Sequence, residues 1–216
     1  MPNGISPYRN GRRTQLDVAD FRFPYAVSDR QVVFSIGRLV YEKGFHLLIE
    51  AVPRILSEFP DTRFIIAGRG PEGPNLGQQA INIGVVDNVR FPGFISDEER
   101  DCLYHAANCA VFPSLYEPFG IVALEAMIAG CPVVVSETGG LREFVRHDKT
   151  GVTVYPDDAQ SLAWGILSTL RDPARAAARA KEAQQVARRE YNWDAIAART
   201  IAVYQRVVDE RKRIEW

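Results

Sequence analysis

Two carboxylates, Glu117 and Glu125, stand eight positions apart in residues 112–136, FPSLYEPFGIVALEAMIAGCPVVVS. Between them Pro118-Phe119-Gly120 closes a loop and frees backbone amides at a helix start, a cradle suited to an anion. An acid paired with a nucleophile or base would make a glycosidase, but the spacing disfavours it. Glu117 precedes the helix and Glu125 lies about two turns in, which separates their backbones by about 12 Å. A retaining glycosidase pair needs carboxyls about 5–5.5 Å apart. Separate tasks fit better. Glu125, between Ala123-Leu124 and Ala126-Met127, is costly to bury without donors, and a ribose diol offers two. Glu117 beside a phosphate cradle would repel phosphate and is expected to face sugar hydroxyls. As an acid near a helix start it would also complement the helix dipole.

Other residue types narrow the chemistry. Arg38 and Lys43 flank a loop after the first apolar strand. They are either solvated side chains or a clamp for a diphosphate, Arg through bidentate contact and Lys as a mobile charge. Gly68-Arg69-Gly70-Pro71-Glu72-Gly73 fits G-x-G-x-x-G, with Asp87 placed as a ribose partner would be. Pro71 removes an amide that a pyrophosphate would use, and the fingerprint belongs on a first strand; turn glycines are the better reading, not a dinucleotide dehydrogenase. His46, His105 and His147 show no metal-ligand spacing, Asp157-Asp158 reads as a helix cap, and neither a G-x-S-x-G elbow nor a P-loop is present.

The elements that must position these residues alternate. Strands are expected at 32–36, 63–67, 88–91, 109–112, 132–136 and 151–154. Helices are expected at 45–58, stopped by Pro60-Asp61, from 71 towards Gly84, from a Ser96/Glu99 capping box to about Ala106, at 119–130, from Leu141, and from Asp158. Leu47, Leu48, Ala51, Val52 and Ile55 recur at helical spacing, as do Leu162, Ile166 and Leu170. Residues 173–190 read as a solvated helix whose arginines form a wet face. A long amphipathic helix follows from Trp193, its stripe running through Ile196, Ile201, Tyr204, Val207 and Val208. Short apolar strands between helices imply right-handed parallel crossovers covered on both faces. The fold class is therefore α/β, a doubly wound, mainly parallel and Rossmann-like sheet of about six strands. Ligands in such sheets sit at the strands' carboxyl ends, which lines up 37–38, 68–70, 92–94, 113–117 and 137–140 on one edge.

Composition excludes several classes. With 216 residues and 26 Lys+Arg against 27 Asp+Glu, no global field points to nucleic acid or an anionic membrane. Three cysteines without C-x-x-C spacing argue for a reducing compartment. The run 120–135 is interrupted by Glu125 and by Gly130-Cys131-Pro132, so no transmembrane segment is expected where about 20 apolar residues are needed, nor a secretory signal. A cytoplasmic protein is expected, with residues 1–30 an irregular lead-in and 31–216 one domain.

Glu117-Pro118-Phe119-Gly120-Ile121-Val122-Ala123-Leu124-Glu125-Ala126 resembles the E-x7-E signature of the retaining, group 1 (family 4) glycosyltransferases of GT-B fold. Gly37-Arg38-Leu39 through Lys43-Gly44 resembles their G-R-L-x-x-x-K-G clamp, and Phe91-Pro92-Gly93-Phe94-Ile95, Gly139-Gly140 and Tyr191-Asn192-Trp193 fall where the family has similar segments. The resemblance, covering 32–208, implies roles. Arg38 and Lys43 would bind the donor diphosphate and, with Glu117, form the catalytic group. Phe119, Gly120 and Ile121 would offer amides to phosphate and sugar. Glu117 would hold the donor sugar, Glu125 the ribose, and the backbone at Phe94 and Ile95 the base. The donor would be a UDP-, GDP- or ADP-linked sugar, with no metal and no cofactor. Only the second of the family's two Rossmann-like domains has a counterpart here. The chain is thus expected to be one half of a GT-B fold, acting with an N-terminal acceptor domain in cis or trans; residues 1–30 would be the inter-domain linker and the final helix would brace the other half. The alternatives are a stand-alone nucleotide-sugar-binding module with a partner chain, or a sugar-nucleotide epimerase of the same fold.

Overall fold

The computed structural model describes residues 30–213; the lead-in expected over 1–30 lies, but for Arg30, outside the described residues. Six parallel strands form one sheet: β1 (Val32–Ile36), β2 (Arg63–Ala67), β3 (Val89–Gly93), β4 (Cys109–Phe112), β5 (Val133–Ser136) and β6 (Val152–Val154), in the order β3-β2-β1-β4-β5-β6. The helices are α1 (Phe45–Leu56), α2 (Gly73–Asn82), α3 (Asp97–Ala106), α4 (Ile121–Ala129), α5 (Leu141–Phe144), α6 (Ala159–Arg171), α7 (Pro173–Glu190) and α8 (Trp193–Arg213).

Successive strand residues point to opposite faces, and each face has its own core. Val32 and Phe34 pack with Leu103, Leu124, Met127 and Ala183 beneath α3, α4 and α7. Val33 packs with Leu48, Val52, Leu76 and Ile166 beneath α1, α2 and α6. The doubly wound expectation thus holds. Ser35, buried in β1, donates through Oγ to Val111 O at 2.5 Å and so joins the two central strands. All three cysteines are buried and free; burial pushes the Cys131 thiol up to about 12. Among the described residues no helix is long and apolar enough to cross a membrane.

Several boundaries differ for local reasons. β3 continues through Pro92-Gly93, which an edge strand tolerates because nothing there needs the missing N–H. α4 starts at Ile121 rather than at Phe119, because Gly120 takes φ 94°, outside the helical region. α1 ends at Leu56, where Glu58 N turns back to Ile55 O and tightens the last turn. The arginines of α7 are not all a wet face. That helix buries Ala176, Ala180, Ala183 and Ala187 against α4, and Arg179 is buried with them, 3.1 Å from Asp148 Oδ1. The α8 stripe is present, but only its start is covered. Ile196 is buried, whereas Ile201, Tyr204, Val207 and Val208 are exposed.

The capping box is complete, with Glu99 N donating to Ser96 Oγ and Ser96 N to Glu99 Oε2. Ser96→Ala should therefore cost about 1 kcal/mol in urea unfolding. Gly77→Ala, whose added Cβ meets nothing within 4 Å inside α2, should raise stability by about 0.5–1 kcal/mol.

Candidate functional site

β1 and β4 are neighbours in the sheet, yet β1 leaves through α1 on one face and β4 through α4 on the other. Their carboxyl ends therefore flank the crevice where such sheets take ligands. The loops above it are stitched together. Gly37 N donates to Ala67 O, Leu39 N to Arg69 O, and Gly68 N to Gly93 O, so the exits of β1, β2 and β3 share one network. A Cβ on Gly68 would lie 1.8 Å from Gly37 O and one on Gly70 2.1 Å from Leu39 O. These glycines serve a backbone crossing, as expected of turn glycines.

The decisive contact joins the β1 and β4 exits. A single 3-10 turn, Tyr41–Lys43, ends at Gly44 with φ 67°. Glu42 O accepts from Leu115 N at 2.8 Å and from Tyr116 N at 3.2 Å. Gly44 presses so closely that an added Cβ would stand 2.0 Å from Pro113 O. Lys43 is thereby carried over the β4 exit, where its Nζ meets Glu117 Oε2 at 2.6 Å. Ser114 Oγ donates to the same oxygen at 3.3 Å. Glu117 is only 6% exposed, so its charge needs both partners.

Glu117 is fixed from the other side as well. Gly140 N donates to its carbonyl at 2.9 Å, a Cβ on Gly139 would come 2.0 Å from that carbonyl, and Thr138 Oγ1 bonds Leu115 O at 3.1 Å. Phe119 packs on the rings of Phe144 and Tyr191. Gly120 then begins α4, with no side chain capping the amides there.

The expected residues fall into three groups, two of them along the sheet edge. Lys43 and Glu117 touch, Phe119, Gly120 and Ile121 follow directly, and Arg38 is exposed at the exit of β1. Phe94 and Ile95 lie two strands away, past β3. Ile95 is buried, whereas Phe94 is exposed with the Arg69 guanidinium 6.0 Å from its ring centre. Glu125 lies farther down α4 and faces α3. The sequence supplied it no protein donor, yet its Oε1 is 3.4 Å from the Arg100 guanidinium. Arg100 also meets Asp97 at 2.9 Å and Asp101 at 3.0 Å. Burial disfavours the Arg100 charge, but Glu125, Asp101 and Asp97 outweigh it and hold the group above the ordinary arginine value. Tyr104 closes the same seam by donating to Val122 O at 2.9 Å; burial, aided by Glu125, pushes its phenol well up.

The sequence reading missed Ser114, Thr138 and Arg100. A hydroxyl residue directly after a strand's exit proline was a usable signal for Ser114. Arg100 carried none, because its partner lies on another helix.

Comparison with known proteins places the chain by sequence and fold. The family model described as glycosyl transferases group 1 matches residues 17–186. A glycosyltransferase of Methanocaldococcus jannaschii is 40% identical over 205 residues, 94% of this chain and 52% of that protein. A glycogen synthase of Mycobacterium tuberculosis is 41% identical over 204 residues, 93% of this chain and 48% of that protein. The crystal structure of Anabaena HepE in complex with UDP and glucose superposes with a TM-score of 0.79 at 27% identity, over 98% of this chain and 56% of that one. The chain spans about half the length of the curated relatives it matches.

Removing the Lys43 ammonium leaves a buried carboxylate with Ser114 as its partner among the described residues. Lys43→Ala should lower unfolding free energy at pH 7 by about 1–3 kcal/mol. Lys43→Ala with Glu117→Gln should recover part of that loss, a coupling that a double-mutant cycle measures directly.

Proposed function

The chain belongs to the group 1 glycosyl transferases, and on that premise we propose that it is the half of such an enzyme that binds a nucleotide-diphosphate sugar. The observation carrying this reading is Glu117, a buried carboxylate held by Lys43 at the β1/β4 crevice. A desolvated ion pair is a poor source of stability, and a ligand in that crevice gives it a use.

In the proposed complex Arg38 and Lys43 grip the diphosphate, and the free amides at Gly120 and Ile121 add donors at a helix N-terminus. Glu117 accepts from hydroxyls of the donor sugar. Glu125 holds the ribose diol, fixed in direction by Arg100, and the backbone at Phe94 and Ile95 meets the base. As the glycosyl bond breaks, negative charge grows on the departing diphosphate. Preorganised cations and amides aimed at growing charge supply a large share of catalysis, so Arg38 and Lys43 would serve in place of a metal ion. The E-x7-E pattern supports retention of the anomeric configuration.

The acceptor would be bound by a second domain, in cis or trans. The exposed part of the α8 stripe, through Ile201, Tyr204, Val207 and Val208, is the surface we assign to bracing it. An uncovered stripe of this kind on an amphipathic helix calls for a partner.

UDP, GDP and ADP should be tested by thermal denaturation. At saturating levels the matching nucleotide should raise the midpoint by a few degrees, since ligand at 100 Kd contributes about 2.7 kcal/mol. Arg38→Ala and Glu125→Ala should each abolish the shift. Absence of a shift with all three nucleotides would sink the proposal.

A further inference from the structure

A second cavity, of about 650 Å³, opens at the β6 margin of the same sheet edge. Glu137, His147, Tyr155, Asp158, Gln160 and Trp164 line it. We propose that it is a saccharide-binding site, distinct from the donor crevice and made for a hexopyranose ring of an oligosaccharide.

The argument begins with the aromatic side chains. Tyr155 is 71% exposed and Trp164 48% exposed, a costly display for large rings unless something covers them. The rings of His147 and Trp164 lie nearly parallel, with centroids 6.1 Å apart and 14° between planes. Stacked in this way, the imidazole steadies the indole, whose half-exposed ring remains as one flat face; parallel rings do not converge into the walls of a cage for a quaternary ammonium ion. Flat apolar area bordered by polar groups matches a pyranose, which has a face of C–H bonds and a rim of hydroxyls.

The polar groups match that rim. Asp158 caps α6 by accepting the Ser161 amide through Oδ1, which fixes its side chain in the cavity's lining. His147 Nδ1 accepts the Thr153 amide at 3.2 Å, so the neutral ring carries its proton on Nε2 and offers a donor. Glu137 adds a carboxylate and Gln160 an amide that both donates and accepts. Among the described residues no lysine or arginine lines the cavity, and Arg142 meets Glu137 from outside it at 3.9 Å. Two carboxylates without a lining cation disfavour phosphate, nucleotide and uronic acid. The volume falls in the usual range for small-molecule sites, about 300–1,000 Å³.

Placement adds to the chemistry. Glu137 N donates to Val154 O, and the segment it begins ends at Gly140, whose N–H holds the Glu117 carbonyl. The cavity thus shares a rigid wall with the donor crevice and lies about three strand spacings, roughly 14 Å, along the edge from β1. A bound oligosaccharide could lie beside the crevice without entering it.

The test is an NMR titration of the full chain with maltotetraose and, separately, an α-1,6-linked mannotetraose, following the indole N–H assigned to Trp164 with the Trp164→Phe variant. At millimolar sugar one of the two should shift that signal saturably. Trp164→Ala, at an exposed position, should weaken binding on the order of tenfold or abolish it, and Gln160→Ala should weaken it less. UDP protection on the same samples reports the donor crevice and should be unchanged, so either reading can fail without the other. Neither tetrasaccharide moving the Trp164 signal, unchanged binding in Trp164→Ala, or a saturable response to tetramethylammonium in place of sugar would each overturn the proposal.

Discussion

The fold depends on one backbone contact, the docking of the β1 exit on the β4 exit. Glu42 O accepts two amides from residues 115 and 116 while Gly44 lies against Pro113 O. Only glycine fits both demands at that point, a positive φ and no Cβ. The Lys43–Glu117 pair inherits its position from there. Lys43 cannot reach Glu117 unless the turn before Gly44 lies flat on the β4 loop, and Glu117 is costlier to keep buried as a charge without Lys43. The outer loops repeat the device, with Gly68 against Gly37 and Gly139 against Glu117. The edge is therefore a row of mutually wedged backbones rather than a set of independent loops. Such an edge can hold charged side chains in place before any ligand arrives, which is what catalysis by fixed charges requires.

Much of this was legible in the sequence, for physical reasons that can be named. β1 and β2 are runs of β-branched and aromatic residues ended by glycine, and their observed bounds are those expected. Ser96 with Glu99 announced α3 because a capping box is a local device. The rule that parallel sheets gather ligands at one edge put 37–38, 113–117 and 137–140 together before any distance was known. Interactions between helices were not legible. Periodicity says that a helix has an apolar face, not what covers it. So Arg179 was read as solvated when it is buried beneath its helix, paired with Asp148 of the α5–β6 loop, and Arg100 went unnoticed although it sits across from Glu125.

Arg100 alters how the two glutamates should be understood. From the sequence, Glu125 was a carboxylate in an apolar helix lacking donors, and a ribose diol met that need. The structure supplies a guanidinium, but one already surrounded by Asp97, Asp101 and Glu125. Three carboxylates around one cation keep the seam acidic. Arg100 orients Glu125 there, and under the proposed function a ribose diol would meet that same carboxylate. Glu117 is the opposite case. It has its own ammonium at 2.6 Å and is close to neutralised where it stands.

That difference bears on where attraction for a diphosphate would originate. Lys43 is matched by Glu117 before any donor arrives, so the pair presents a dipole rather than a free cation. Among the described residues the positive character left at the crevice then rests on Arg38, exposed at the exit of β1, and on the uncapped amides that open α4. The three parts would act in sequence. Arg38 and the amides would draw the diphosphate in, and Lys43 would then share its charge between Glu117 and phosphate. Glu117, relieved of part of its partner, would gain acceptor strength towards the sugar hydroxyls. Binding of one half of the donor would thus prepare the grip on the other, and a buried ion pair that contributes little to stability would become the element linking phosphate recognition to sugar recognition.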